Sequence, residues 1–364
     1  MTALSRHVLV DVSGHGFGHL AQVAPVLNVL RRRVPDLRLT VRSELPADVV
    51  RRRVTEPAQV VSAAVDVGLT MRSALDVDVP GSVRRYEEFH ADWTARVGRA
   101  AADMARLGPD LVLADVPYLS LEAAARLSLP SVAMCSLNWA DIYDRYADRS
   151  PERARIAAEI RSAYRRATHF LQPQPSMPMT DLPQRRPVGP IAALGCNRRA
   201  EVEARVGLRP EDRLVLIGLG GIETRLPVER WPVLPGVCWV VPTAWRVARA
   251  DVVPMEALGM PFLDVLASSD ALLTKTGYGS FVEAACHGVR VLYVPRPDWP
   301  EEPYLVNWLR AHGVCRPVGR SVLDAGALET ELAALFEPPA SRPPRPTGAK
   351  ETADFLAGLL DPHY

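Results

Sequence analysis

The chain has 364 residues, 48% of them hydrophobic, with 43 basic and 42 acidic side chains for a formal charge of +1. That length suits two domains, each large enough to bury a core of its own. The near-neutral balance removes any global electrostatic reason to bind DNA, RNA or an anionic membrane, so an anionic ligand has to be caught by a local arrangement of groups.

The first predicted strand is the apolar run Val8-Leu9-Val10. It enters a glycine-rich turn, Ser13-Gly14-His15-Gly16-Phe17-Gly18-His19, after which Leu20, Val23, Ala24, Leu27 and Leu30 recur at helical spacing. Leu37-Arg38-Leu39-Thr40-Val41 returns to a strand pattern, completing a strand-turn-helix-strand unit of the kind that builds parallel sheets. A later unit joins the strand Asp110-Leu111-Val112-Leu113-Ala114-Asp115, a helix from about Ser120 to Leu127, and the short strand Ser131-Val132-Ala133-Met134. The first domain is therefore expected over 1–170. Residues 171–190 are rich in proline, lose all periodicity and read as a linker.

A second series of strands and helices follows, expected to form a domain over 191–345. Leu214-Val215-Leu216-Ile217-Gly218 leads into Leu219-Gly220-Gly221, and Trp239-Val240-Val241, Ala271-Leu272-Leu273-Thr274 and Val291-Leu292-Tyr293-Val294 supply further strands. The third of these runs into a second glycine turn, Lys275-Thr276-Gly277-Tyr278-Gly279-Ser280. Another proline-rich stretch, Pro338 to Pro346, precedes a closing helix from Lys350 to Leu360 within the segment 346–364.

Each half thus carries its own glycine turn between a strand and a helix, which points to two α/β domains facing one cleft. In open parallel sheets, ligands sit at the carboxyl ends of the strands, where helix N-termini with unpaired N–H groups attract anions. Gly277 and Gly279 let the backbone approach a phosphate closely, and Gly220 and Gly221 do the same from another strand. A diphosphate is expected there, with Tyr278 and Ser280 in the same turn. Lys275 and Lys350 are the only lysines, and Lys275 offers a compact positive charge within that turn. In the first half, Trp139, Tyr143 and Tyr146 lie just past a strand and are expected to line an acceptor site. The five cysteines are scattered, without metal-ligand spacing, and read as small core residues of a reducing compartment. No signal-like start and no run long enough to span a bilayer is present, so a cytoplasmic location is expected.

Ser269-Asp270, the strand to Thr274, Lys275-Thr276-Gly277, Glu283-Ala284, Gly288 and Val294-Pro295 follow one another at spacings that resemble the donor site of GT-B glycosyltransferases. The chain is similar to the branch that includes UDP-glycosyltransferases and the N-acetylglucosaminyltransferase making the peptidoglycan lipid precursor. The Gly18-His19 turn looks like that family's N-terminal signature, and its GHGFGH form resembles the glycosyltransferase-like segment fused to plant sugar kinases.

The resemblance implies two Rossmann-like domains facing a cleft and an enzyme that moves a sugar from a nucleotide-diphosphate donor, a UDP-sugar, to a hydroxyl or amine. It implies that Glu283 binds the ribose hydroxyls and that backbone groups at Leu258-Gly259-Met260 hold the base. His19 takes the place of the histidine that relatives use as general base, His15 is its substitute or an acceptor contact, and Asp115 resembles the carboxylate that orients the histidine. Where relatives carry an Asp-Gln pair for the sugar hydroxyls, this chain has Glu301-Glu302, followed by Asn307, which leaves the donor sugar open. The transfer is expected to be inverting and independent of metal, with no cofactor, and with a small-molecule, lipid-linked or polypeptide acceptor. A nucleotide-sugar 2-epimerase or hydrolase on the same fold, and a non-catalytic sugar-nucleotide binder, are the alternatives.

Overall fold

A computed structural model describes residues 6–148 and 150–361. The first sheet contains β1 (His7–Val12), β2 (Arg38–Ser43), β3 (Gln59–Ser62), β4 (Leu111–Asp115), β5 (Ser131–Met134), β6 (His169–Pro173) and β7 (Arg185–Val188). They lie in the order β3-β2-β1-β4-β5-β6-β7, with every pair parallel. The intervening helices are α1 (Gly18–Arg33), α2 (Ala47–Arg53), α3 (Val79–His90), α4 (Trp93–Leu107), α5 (Tyr118–Arg126), α6 (Trp139–Tyr146) and α7 (Pro151–Arg166).

Parallel neighbours need long crossovers, and these cover both faces of the sheet with helices. The strand β1 shows the consequence residue by residue. Val8, Val10 and Val12 pack with Leu20, Val23 and Leu27 of α1, whereas Leu9 points to the other face and packs with Ala101 and Met104 of α4 and Ala123 of α5. A strand buried on both sides has no polar alternation, which is why it reads as an unbroken apolar run.

The second sheet contains β8 (Arg213–Ile217), β9 (Val237–Val241), β10 (Val252–Pro254), β11 (Ala271–Lys275), β12 (Arg290–Val294) and β13 (Cys315–Pro317), in the parallel order β10-β9-β8-β11-β12-β13. Its helices are α8 (Arg199–Val206), α9 (Phe262–Ser268), α10 (Tyr278–His287), α11 (Glu302–His312), α12 (Arg320–Ala325) and α13 (Glu329–Phe336), and α14 (Gly348–Leu360) ends the chain's described part. Strand order reverses between β1 and β4 in one sheet and between β8 and β11 in the other. The glycine turns leave from β1, β8 and β11, so all of them lie at these two switch points, where open sheets bind ligands.

Residues 171–190 depart from the expected linker. They complete β6 and supply β7, which extends the first sheet to Val188. Pro187 is tolerated because β7 is an edge strand bonded on one side only, where a missing N–H costs no ladder bond. The crossing to the second domain follows, and α14 returns to pack against α1 and β7. Gly189 and Gly348 meet where the two crossings touch; a Cβ on Gly348 would lie 2.0 Å from the Gly189 carbonyl oxygen. Tyr278 pins the same place: its hydroxyl accepts the Ile191 N–H at 2.9 Å and donates to the Gln174 carbonyl at 3.0 Å. Of the cysteines, Cys135, Cys238 and Cys286 are buried as expected, but Cys196 is exposed beside the crossing and Cys315 is half-buried. Among the described residues, no helix is long and apolar enough to cross a membrane.

Candidate active site

Pairing of β1 with β4 places Val12 opposite Asp115, so the first glycine turn and the end of β4 emerge side by side. His19, on the first turn of α1, sets Nδ1 2.9 Å from Asp115 Oδ1, and both side chains are buried. Burial alone would lower the imidazole pKa, but the hydrogen bond and charge of Asp115 outweigh it and hold His19 above its ordinary value of 6.5. With Nδ1 turned to the carboxylate, Nε2 is the nitrogen left for a substrate proton. The second carboxylate oxygen, Asp115 Oδ2, is buried without a partner.

His15 sits differently. Its ring stands edge-on to Trp139 at 5.3 Å and lies parallel to Trp299 at 6.1 Å, and its Nδ1 accepts the Leu69 N–H at 3.4 Å. Burial, followed by the charges of His19, Arg296 and Lys275, drops its pKa to about 3. A neutral imidazole with Nδ1 occupied presents an N–H at Nε2, which makes His15 a hydrogen-bond donor to a ligand rather than a base.

The opposing wall is built from the second domain. Gly220, at φ +87°, and Gly277 bracket the Lys275 ammonium: a Cβ at either would lie 3.9 or 3.4 Å from Nζ. No side chain caps α10, so its first N–H groups, from Tyr278, Gly279 and Ser280, are open to an anion. Lys275 is half-buried, and desolvation, with Arg296 nearby, lowers its pKa from 10.5 to about 7. Among the described residues, its only close acceptor is the Thr276 carbonyl at 3.5 Å.

The two walls touch. A Cβ at Gly221 would come within 2.6 Å of the Phe17 ring, and one at Gly279 within 3.0 Å of the Ala21 methyl. Ser136 donates across the gap to Glu301 Oε1 at 2.6 Å, while Trp299 Nε1 donates to Glu301 Oε2 at 3.1 Å. Burial raises the Glu301 carboxyl, and those two bonds oppose the rise. Glu302 ties the two turns together, accepting from the Thr276 hydroxyl at 2.6 Å and from the Arg296 backbone N–H. Glu283 is buried on α10 and ion-paired at 2.5 Å with Arg53, from the end of α2. Burial raises its carboxyl pKa despite that partner.

The structure therefore gathers His15, His19, Asp115, Gly220, Gly221, Lys275, Gly277, Gly279, Glu301 and Trp139 where the two domains face each other, whereas the Glu283 carboxylate meets Arg53 of α2 instead. Trp139 is wholly buried beside the two histidines, with its ring 5.3 Å from His15 and 5.7 Å from His19 and its indole N–H bonded to Asp66 at 2.9 Å. Tyr143 is not brought to the histidines: it is buried against the Tyr86 ring at 4.7 Å. The Tyr278 side chain likewise turns away into the domain crossing, leaving only its backbone in the turn. Gly259 ends a short 3-10 turn after the edge strand β10, with its N–H committed to Glu256 at 3.1 Å and the Leu258 carbonyl accepting from Arg205.

Three further residues bear on the cleft. Asp66 lies in a segment without periodicity and meets both Ser13 and Trp139; burial raises its carboxyl. Arg53 is the last of three successive arginines at the end of α2. Arg296 is buried behind β12 with its guanidinium 4.3 Å over the Trp299 ring. Among the described residues, one group has the composition of a metal site, His19, Asp115 and Cys135, with candidate ligand atoms within 4.8 Å of one another. The histidine-aspartate hydrogen bond already engages two of those atoms, and Cys135 Sγ lies 3.7 Å from Nδ1.

No protein-family model matches the chain. An L-arabinokinase of Arabidopsis thaliana is 25% identical over 324 residues, which cover 85% of this chain but 30% of that protein, so the chain spans less than a third of its relative. The calicheamicin glycosyltransferase CalG4 superposes with a TM-score of 0.62 at 16% identity, covering 98% of this chain and 94% of that one. UGT89C1 of Arabidopsis thaliana, solved with UDP, gives 0.57 at 16%, covering 98% and 100%. A UDP-N-acetylglucosamine 2-epimerase gives 0.56 at 14%, covering 97% of each chain. At these identities the likeness is one of architecture: two parallel-sheet α/β domains in the GT-B arrangement.

Proposed function

We propose that the chain is a glycosyltransferase that moves a sugar from a UDP-sugar to a hydroxyl or amine acceptor, without metal and with inversion at the anomeric carbon. The observation that carries this is the opposition, across one cleft, of the His19–Asp115 pair and a Lys275 ammonium set between two glycine turns. Neighbours on this fold include a calicheamicin glycosyltransferase and a UDP-glucosyltransferase of Polygonum tinctorium, and two others were solved with UDP.

In this reading His19 Nε2 takes the acceptor proton as the acceptor oxygen or nitrogen attacks the anomeric carbon and the bond from that carbon to the diphosphate breaks. Asp115 orients the ring and stabilises the imidazolium. The departing diphosphate collects its charge against the open N–H groups of α10 and the Lys275 ammonium, groups already in place before the reaction. Glu283 is assigned to the ribose hydroxyls, and Glu301 and Glu302 to the rim of the sugar pocket.

The test is UDP release by the full chain from UDP-sugars, with and without a panel of small-molecule, lipid-linked and polypeptide acceptors. Acceptor-dependent release, reduced roughly 100- to 10,000-fold in His19→Ala, is the expected result. Equal turnover without acceptor would replace transfer by epimerisation or hydrolysis, and full activity in His19→Ala would reject the base.

A further inference from the structure

Arg296 is 6% exposed, yet its guanidinium makes no ion pair and no side-chain hydrogen bond among the described residues. Nη2 is wholly enclosed without a partner, and only the backbone N–H donates, to Glu302. An arginine cannot relieve such a position by losing its proton, and buried charges in proteins are ordinarily paired. The acidic groups around it are spoken for. Glu301 takes bonds from Ser136 and Trp299, Glu302 from Thr276, and Asp76 pairs with Arg320 at 2.6 Å.

The amides and ammonium assigned to the diphosphate lie at the ends of β8 and β11, whereas Arg296 follows β12, one strand further out, on the loop that carries Trp299 and Glu301. Its charge is felt by Lys275, by Asp76 and Tyr146 of the first domain and by His15. An anion held by Arg296 therefore adjoins the diphosphate and lies toward the first domain, where sugar and acceptor meet in the proposed reading. The guanidinium carbon lies 4.3 Å over the Trp299 ring, and an arginine fork grips a carboxylate with two parallel hydrogen bonds.

We propose that Arg296 is a specificity residue for a carboxylate on the substrate, either on the transferred sugar, as in a uronic acid, or on the acceptor. This rests on the glycosyltransferase reading, and the experiment separates the two. Calorimetry on the full chain compares UDP, UDP-glucose and UDP-glucuronic acid in wild type, Arg296→Gln and Arg296→Lys. UDP-glucuronic acid at least tenfold tighter than UDP-glucose in wild type, with no such preference in Arg296→Gln, each measured relative to UDP in the same variant, places the carboxylate on the sugar. If the two sugars bind alike, a panel of aliphatic and aromatic carboxylates is added to the UDP complex. Stabilisation of wild type by the acids, but not by their methyl esters, and its loss in Arg296→Gln, places the carboxylate on the acceptor. UDP binding with no acid preference in either arm overturns the proposal and leaves the donor site standing. No binding of UDP to wild type overturns both. Should Arg296→Gln fail to fold, the wild-type comparison of acid with neutral ligand decides alone.

Discussion

If the site binds a nucleotide diphosphate as proposed, Lys275 makes that binding dependent on pH. In the free chain, desolvation holds its ammonium at about 7 instead of 10.5. A diphosphate beside it favours the charged form and raises that pKa, so above pH 7 the ligand binds only with uptake of a proton. Affinity for UDP is then greatest below pH 7 and falls as pH rises, by up to tenfold per unit until the pKa of the complex is reached. Between pH 7 and pH 9 the ceiling is about a hundredfold, or about 2.7 kcal/mol. Solvent at the half-buried ammonium trims this, so a tenfold loss is the smallest informative effect. His15, neutral above about 3, contributes nothing in this window, and a terminal phosphate, with its second pKa near 6, has largely titrated below it. Calorimetry at pH 6.5, 7, 8 and 9, in buffers of different ionisation enthalpy, measures both affinity and proton uptake. Lys275→Arg, charged throughout, should bind UDP with little pH dependence. A flat wild-type affinity without proton uptake, or the same slope in Lys275→Arg, would show that Lys275 is not the group that titrates.

If His19 is the base, kcat/KM rises with pH as His19 loses its proton. Asp115→Asn removes the bond and charge that hold the imidazole pKa up, so the rising limb should move to lower pH while kcat falls; an unmoved limb would detach Asp115 from the base. Arg53→Gln frees Glu283 from its ion pair, and UDP should bind several-fold tighter if the ribose competes with Arg53 for that carboxylate; weaker binding would remove Glu283 from the site. Arg296→Leu should melt no lower than wild type in the absence of ligand, because the charge removed has no partner, whereas a clear fall in Tm would make Arg296 structural. Gly348→Ala should destabilise the chain by roughly 1–3 kcal/mol in denaturant unfolding, since its methyl meets the Gly189 carbonyl, and unchanged stability would disprove that the crossing is tight.

Much of the architecture was legible because a strand buried on both faces leaves an unbroken apolar run. The His19–Asp115 pair was legible only through resemblance; 96 residues separate the two, and it is the register of β1 against β4 that joins them. The misleading places share a cause, which is that composition does not report direction. Pro187 looked like linker but sits on an edge where a missing donor costs nothing. Tyr278 shares a turn with Gly277 and Gly279, yet its side chain leaves on the opposite side. Asp66 and Arg296 lie in loops without period, and nothing local marks either as buried beside His15 and His19, which are more than 45 residues away from the first and more than 270 from the second.

The groups that close the domains together are the same groups assigned to the substrates. Glu283 pairs with Arg53, Glu301 accepts from Ser136, and the glycines that would admit a diphosphate lie against Phe17 and Ala21. A continuous apolar cluster runs through α1, α10 and α14, so these polar contacts are laid over an interface already held by burial. A donor entering between the turns must therefore exchange protein contacts for its own, ribose for Arg53 and phosphate for the nearby side chains. The net affinity is the difference between two sets of bonds, and only differential contacts shift the balance between closed and loaded forms. The orphaned guanidinium of Arg296 and the poorly paired ammonium of Lys275 stand apart from this exchange. On the proposed reading they lose little when a ligand arrives, so an anion meeting them would contribute its interaction almost undiminished.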